Sequence, residues 1–420
     1  MSFKPFVPTL ALALAMAILL TPAAWADGKY QVLYNFYGSY GGGGPNGGPP
    51  LAVPVLDASG NLYGPAGGGI GVSNLCSGPC GVVFKMTRNV NGKWSESVAL
   101  NFSTYFDLAA PGSLLAFDSQ GNLYGILGGN GAGPSWVYQL TPNSSGWGLN
   151  LIYEGYGSDV GGVVPDGMGN VYGSVGVGSD YSSTVGELSP RSHGWVYTDL
   201  YDFCSEGGDC RNGAEPRAPL SWDTKGNLYG TDYAGGLHCP DGYGCGAAFQ
   251  MTPSGDGTWT YHVLHRFGSF KQDGMYPWGG LLVDASGNAY GTTLSGGPYG
   301  NGTVFQLTPT SGGEWKETLL YGFPNVNFGA YPWGNLVFDK AGNLYGVANG
   351  GNSCGSYFCG EVFKLTPQAS GTWKYSVVHA FKGADGAYPY GVVIDKNGNL
   401  FGTAWGGGTY NYGVVFEITP

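Results

Sequence analysis

The 420-residue chain carries 17 Lys+Arg against 28 Asp+Glu, a formal net charge of -11, and has no basic run. Such a surface repels phosphate backbones, which excludes nucleic acid as the expected partner. Its 80 glycines and 26 prolines would signal disorder in a sequence without a period.

Residues 1–26 read as an export signal. Lys4 precedes an apolar run from Leu10 to Leu20, and Ala24-Trp25-Ala26 offers a small-x-small cleavage pattern before Asp27. The run is short of the roughly 20 residues that span a bilayer, and no second long apolar segment follows. No stable membrane span is therefore expected after cleavage; a retained anchor is the alternative. Residues 27–420 are expected to form a single domain, secreted or periplasmic.

That domain is periodic. Seven turns of the form D-x-x-G-N, or a close variant, begin at Asp57, Asp118, Asp166, Asp223, Asp284, Asp339 and Asp395. The interval averages about 56 residues, the mark of a repeat architecture. From Leu281, "LLVDASGNAYGTT" predicts a short strand, a turn and a second strand. "GTVFQLTPTSGGEWKETLLYGF" then predicts a third strand, a turn around Ser311-Gly313, and a fourth strand from near Trp315. In the turn, aspartate can accept backbone N–H bonds and glycine supplies a left-handed conformation, so a structural role is expected for all seven aspartates. The following tyrosine is expected to pack between units.

The D-x-x-G-N turn and the third-to-fourth-strand turn keep nearly constant length, whereas the other two connections vary. An up-and-down order of four antiparallel strands places these pairs of connections at opposite ends of each sheet. The prediction is an all-β, seven-bladed β-propeller of four-stranded antiparallel blades, with a scaffold face and a variable-loop face. "YQVLYNF" (Tyr30 to Phe36) resembles a fourth strand, and "GVVFEITP" (Gly413 to Pro420) is a third strand lacking one. Pairing of the N-terminal strand in the last blade would close the ring and remove two exposed edges. Expected boundaries are 51–107, 108–158, 159–212, 213–273, 274–329, 330–385, and 386–420 completed by 30–36.

The eight cysteines fall in four close pairs: Cys76/Cys80, Cys204/Cys210, Cys239/Cys245 and Cys354/Cys359. Local pairing together with an export signal favours four loop-closing disulfides over free thiols or metal ligation. Three pairs lie in glycine-rich excursions of the variable-loop face.

The repeats "YPWGGLLVDASGNAYGTTLSGGPYGNGTVFQLTP" (Tyr276 to Pro309) and "YPWGNLVFDKAGNLYGVANGGNSCGSYFCGEVFKLTP" (Tyr331 to Pro367) resemble those of exported bacterial proteins built from tandem GloVer repeats. The resemblance runs over essentially all of residues 30–420 and implies export and a repeated fold, but names no reaction. Members of that class often end in a sorting or anchoring segment, whereas this sequence stops directly after a repeat strand, which favours a released or periplasmic protein. A more distant resemblance runs to propeller lactonases and lyases.

Candidate ligand-binding residues are the Pro-aromatic segments leading into the innermost strands: Tyr276 and Trp278, Tyr331 and Trp333, and Tyr388 and Tyr390. Rings there could stack on sugars or grip a peptide; the alternative is that they plug the channel. His193, His238, His262, His265 and His379 show no H-E-x-x-H pattern and no cluster legible in the sequence. No catalytic residue, metal site or cofactor is assigned, and the sequence sets no oligomeric state. The leading expectation is a non-enzymatic exported propeller binding an extracellular or envelope glycan or protein through its variable-loop face. A carbohydrate- or lactone-directed hydrolase or lyase at the channel mouth is the alternative, and a structural envelope component a third.

Overall fold

The computed structural model describes residues 29–38, 46–69, 80–104, 111–128, 134–156, 161–176, 183–204, 210–237, 239, 242, 244–324, 329–350, 353–354 and 357–419. Seven four-stranded antiparallel blades form a ring. Blades 1 to 6 span 55–101, 116–156, 163–202, 221–266, 274–322 and 332–380. Blade 7 consists of Ala387–Ile394, Leu400–Gly406, Val414–Thr419 and the N-terminal strand Lys29–Asn35. Closure is as expected: Tyr30 pairs with Ile418 and Asn35 with Val414, antiparallel.

A buried apolar cluster fills each of the seven junctions. The one between blades 7 and 1 joins Phe401 and Val415 to Leu62, Phe84 and Phe36. Six second-strand rings reach the tryptophan that opens the next blade's fourth strand, as Tyr63 does with Trp147 (5.7 Å), Tyr290 with Trp373 (6.4 Å) and Phe401 with Trp94 (5.5 Å). These T-shaped contacts bury large apolar area in the favoured edge-to-face geometry.

Each turn and the start of its second strand form an eight-residue phrase, DASGNAYG from Asp284 to Gly291, whose two glycines have different roles. Gly287 sits at φ 83° with open space beside it, so its glycine serves the turn's backbone geometry. The final glycine, as in Gly291, serves packing: a Cβ there would lie 2.5 Å from Cζ of the Phe305 ring. Blade 3, whose turn reads "DGMGNVYG", inverts this arrangement. Its third strand carries Gly186 where the others carry a ring, and Tyr197 of the fourth strand fills the space.

One feature was not legible in the strand pattern. In every blade the fourth strand bulges at one equivalent residue, for example Leu264 between the pairs Phe249–Val263 and Ala248–His265, and Leu33 in the closing strand. A bulge bends a strand and raises its twist, and here it does so at the outer edge of each blade.

Candidate functional site

In all seven turns the aspartate carboxylate accepts hydrogen bonds from two backbone N–H groups and from the asparagine amide. At Asp284 these come from Ser286 N (2.8 Å), Asn288 N (2.9 Å) and Asn288 Nδ2 (2.8 Å), with Tyr290 Oη donating a fourth at 3.1 Å. Asp57, Asp118, Asp166, Asp223, Asp339 and Asp395 are held alike by their own asparagines. These bonds hold the Asp223 and Asp339 carboxyls below the usual range; burial opposes the shift but is outweighed. The seven aspartates thus spend their acceptor capacity inside their own turns.

The opposite end of the ring opens into a cavity of about 310 Å³ at the central channel, lined by residues from all seven blades. Six of its lining residues directly follow a proline: Leu51, Gly112, Arg217, Trp278, Trp333 and Tyr390; blade 3 contributes Gly161. Five of these prolines pack on a glycine of the preceding blade. Pro332 occupies the space a Cβ on Gly302 would need (2.6 Å to Cδ), and Pro50 does the same at Gly413 (2.7 Å), across the ring closure. At three of them the tyrosine before the proline donates its N–H to the preceding blade: Tyr276 to Cys245 O (2.8 Å), Tyr331 to Asn301 O (2.9 Å) and Tyr388 to Cys359 O (3.0 Å).

That bond is made in the left-handed region, with φ 60° at Tyr276, 55° at Tyr331 and 57° at Tyr388; Glu215 shares it at 56°. A non-glycine residue held there costs about 1–3 kcal/mol, which the surrounding packing must offset. Further bonds set the inner ring, from Thr231 Oγ1 to Gly279 O (2.9 Å), Thr403 Oγ1 to Ala52 O (2.8 Å) and Gly280 N to Asn335 Oδ1 (2.7 Å).

The six aromatic candidates therefore separate into two sets. Trp278, Trp333 and Tyr390 line the cavity. Tyr276, Tyr331 and Tyr388 do not; their backbones join blades, Tyr276 packs on Tyr233 (5.4 Å) and Tyr388 on Trp405 (6.1 Å). Trp278 and Trp333 stack at 4.5 Å with 24° between their planes. The Arg217 guanidinium lies 5.1 Å from the Trp278 ring and 4.5 Å from Tyr233, and is paired with Glu215 at 2.8 Å. One side of the cavity wall is thus a half-buried platform of Arg217, Trp278, Trp333 and Tyr390. The other side is small and mostly apolar, with Leu51, Gly112, Leu114 and Gly161 beside Ser113.

Reading the sequence missed Arg217 because glutamate replaces the tyrosine of the Tyr-Pro pattern. The available signal was spacing: Pro216 precedes Asp223 by the same seven residues that separate Pro277 from Asp284 and Pro332 from Asp339.

Two expected disulfides are formed, Cys204–Cys210 and Cys239–Cys245. Cys80 and Cys359 are also disulfide-bonded. Cys76 and the Cys354 side chain lie outside the described residues, as does His238.

The histidines proved more connected than their sequence context indicated. His379 Nε2 meets Asp385 Oδ2 at 3.0 Å while its ring stacks on Tyr30 at 3.7 Å. His265 meets Asp273 Oδ2 at 3.0 Å and Glu317 Oε2 at 3.8 Å. Burial pushes the His265 imidazole downward, but Asp273 and Glu317 outweigh it and raise its pKa. Burial, and the charge of Asp273, raise Glu317 to about 7. Burial likewise raises Glu96 and Glu361 to about 7, partly offset by hydrogen bonds from Asn46 and Tyr375 respectively.

The sequence profile of the family described as Gloeobacter/Verrucomicrobia repeat matches residues 238–420. No curated protein matches the chain. Among solved structures, a fungal alcohol oxidase of the AA5 family in complex with copper has a TM-score of 0.58 at 16% identity, covering 94% of this chain and 76% of that one. A protein from Lactobacillus plantarum has a TM-score of 0.51 at 13% identity, covering 80% of this chain and 95% of that one. At these identities the likeness is one of fold, and fold alone assigns no activity.

Proposed function

Taking as premise a seven-bladed propeller whose residues 238–420 carry the Gloeobacter/Verrucomicrobia repeat, we propose that the cavity at its channel mouth binds a glycan. The observation that carries this reading is the stacked Trp278–Trp333 pair, continued by Arg217 and Tyr390 along one wall. Flat half-buried rings suit the apolar faces of pyranose rings, and a concave, largely preformed pocket with a few polar groups is the usual form of a small-ligand site. Arg217, Asn335 and Ser113 supply the polar contacts of the described wall. These groups orient a ligand, whereas glycoside hydrolysis by acid–base chemistry uses a pair of carboxylates. Binding without turnover is therefore the favoured reading over an enzyme at the same mouth.

Export belongs to the same proposal. Disulfides persist in oxidising compartments, and two are placed here. No helix among the described residues is long and apolar enough to cross a membrane. We assign residues 1–26 as the cleaved signal, with a secreted or periplasmic product; the N-terminus of the mature protein, read by mass spectrometry, should begin at Asp27.

Binding is tested with the purified mature protein against a polysaccharide panel, by calorimetry and pull-down. The Trp278→Ala/Trp333→Ala double variant should lose at least about tenfold in affinity while keeping its circular dichroism spectrum, given that buried aromatic anchors dominate recognition energies. Unchanged uptake by a folded double variant would remove the glycan reading. Turnover of a panel member would move the assignment to an enzyme.

A further inference from the structure

At four blade junctions the outer edge is closed by two rings stacked face to face: Tyr153 on Tyr197, Tyr201 on Tyr261, Tyr321 on Tyr375, and His379 on Tyr30. The first of each pair comes from a blade's fourth strand, the second from four positions earlier in the next blade's fourth strand. At the junction of blades 4 and 5 the equivalent residues are His265 and Glu317. A carboxylate stands where the ring should be.

The connection between the same two blades brings in a second one. Asp273 lies with Oδ1 and Oδ2 at 3.2 and 3.0 Å from His265 Nε2, and Glu317 Oε2 lies 3.8 Å from that nitrogen. All three donor atoms fall within 4.8 Å of one another. The site is enclosed, with side-chain exposures of 13% for His265, 0% for Asp273 and 7% for Glu317. Asp273 is held in place by Ser269, whose N–H and hydroxyl donate to Oδ2 at 2.8 and 2.9 Å. Such outer bonds are what orient a carboxylate ligand.

Two enclosed carboxylates against one imidazole leave an excess negative charge that either a proton on Glu317 or a bound cation can compensate, because uncompensated charge in a dry setting is strongly unfavourable. A tetrahedral zinc ion with bonds of about 2.0–2.2 Å sets its ligand atoms about 3.3 Å apart. The observed separations from Nε2, 3.0 and 3.8 Å, bracket that value. Both separations lie within about half an ångström of it. A water can supply the fourth ligand, as in open zinc sites.

We propose that His265 Nε2, Asp273 and Glu317 form a binding site for a zinc-class divalent metal that clips blade 4 to blade 5. The His379–Asp385 pair is an internal control within the same chain. It repeats the histidine–aspartate contact, but Tyr30 replaces the second carboxylate, and among the described residues no third histidine, cysteine or carboxylate donor joins it.

The test uses the untagged mature chain, stripped with EDTA, exchanged into clean buffer and titrated with zinc chloride in a calorimeter. One equivalent should bind with Kd of about 1 µM or tighter, and the thermal midpoint should rise with zinc, as linkage requires. Glu317→Gln and Asp273→Asn should each weaken binding at least tenfold, and His379→Gln should leave it unchanged. X-ray absorption of the wild-type zinc complex provides a reading that needs no variant: one imidazole with oxygen ligands is expected. Failure to bind an equivalent, binding untouched by Glu317→Gln and Asp273→Asn, or a shell containing sulfur or several imidazoles would overturn the assignment.

Discussion

At the seven D-x-x-G-N turns, the same aspartate accepts the same backbone bonds on every blade. At the other end of those blades the cavity is walled by Leu51, Gly112, Gly161, Arg217, Trp278, Trp333 and Tyr390, with the large residues gathered on blades 4 to 7. The turns are specified by backbone geometry, which has one solution, so seven copies read alike. The cavity residues are held by the proline and the backbone bonds behind them, which leaves their side chains free to differ. Uniformity on one face and asymmetry on the other indicate where shape is being maintained and where a surface is being offered.

The strongest way to break the comparison is to remove what both faces share, the closed ring. Deleting residues 29–36 bares the Val414–Thr419 edge and takes Phe36 from the junction of blades 7 and 1. Loss of cooperative unfolding, with aggregation or strand exchange seen by light scattering, is expected because an unpaired edge seeks another chain. A monodisperse truncated protein with wild-type stability would contradict closure as the stabilising device.

A smaller loss is expected inside one blade. Phe305→Ala removes a fully buried ring seated on Gly291 and should cost about 3–5 kcal/mol in denaturant titration. Asp284→Ala removes the acceptor of four hydrogen bonds at a partly exposed turn and should cost about 1–2 kcal/mol. Asp339→Ala should cost a similar amount, since its turn is built alike. A difference above about 1 kcal/mol would mean the turns are less equivalent than their geometry. Trp333→Ala at the other end should change unfolding by under about 1 kcal/mol, while ligand uptake falls; a large stability loss would recast the platform as a structural plug.

The least effect belongs to protonation. Glu96 and Glu361 have folded pKa values raised to about 7 from 4.5, so the folded state binds more protons between those limits. Their contribution is full below about pH 4.5 and is lost as pH rises through about 7. Thermal midpoints should therefore decline across that window, and Glu361→Gln, which keeps an acceptor for Tyr375, should flatten the decline. The depressed carboxyls of Asp223 and Asp339 act in the opposite sense and in a separate window. Their contribution is present above their usual value of 3.8 and lost as pH falls below it.

Much of the scaffold was legible because it depends on local backbone chemistry. Aspartate, glycine and asparagine at fixed spacing announce a turn, and Tyr30–Phe36 resembles the other fourth strands closely enough to place it in the last blade. The candidate site was legible in part. "YPW" and "YPY" drew attention to six rings, but only the residue after proline reaches the cavity, and that division depends on the left-handed tyrosine backbone. Arg217 escaped notice behind a glutamate-for-tyrosine change. The His265–Asp273–Glu317 cluster was hidden for another reason, since its third member comes from the next blade and no spacing within one repeat could reveal it.

What the amino-acid order determined by itself was the number of blades, the direction of their strands and the ring's closure, since each follows from turn chemistry and strand periodicity repeated along the chain. What only the tertiary structure decided was which side chains meet across junctions and around the channel. Those encounters join residues tens to hundreds of positions apart, and their distances are set by how seven twisted sheets pack side by side.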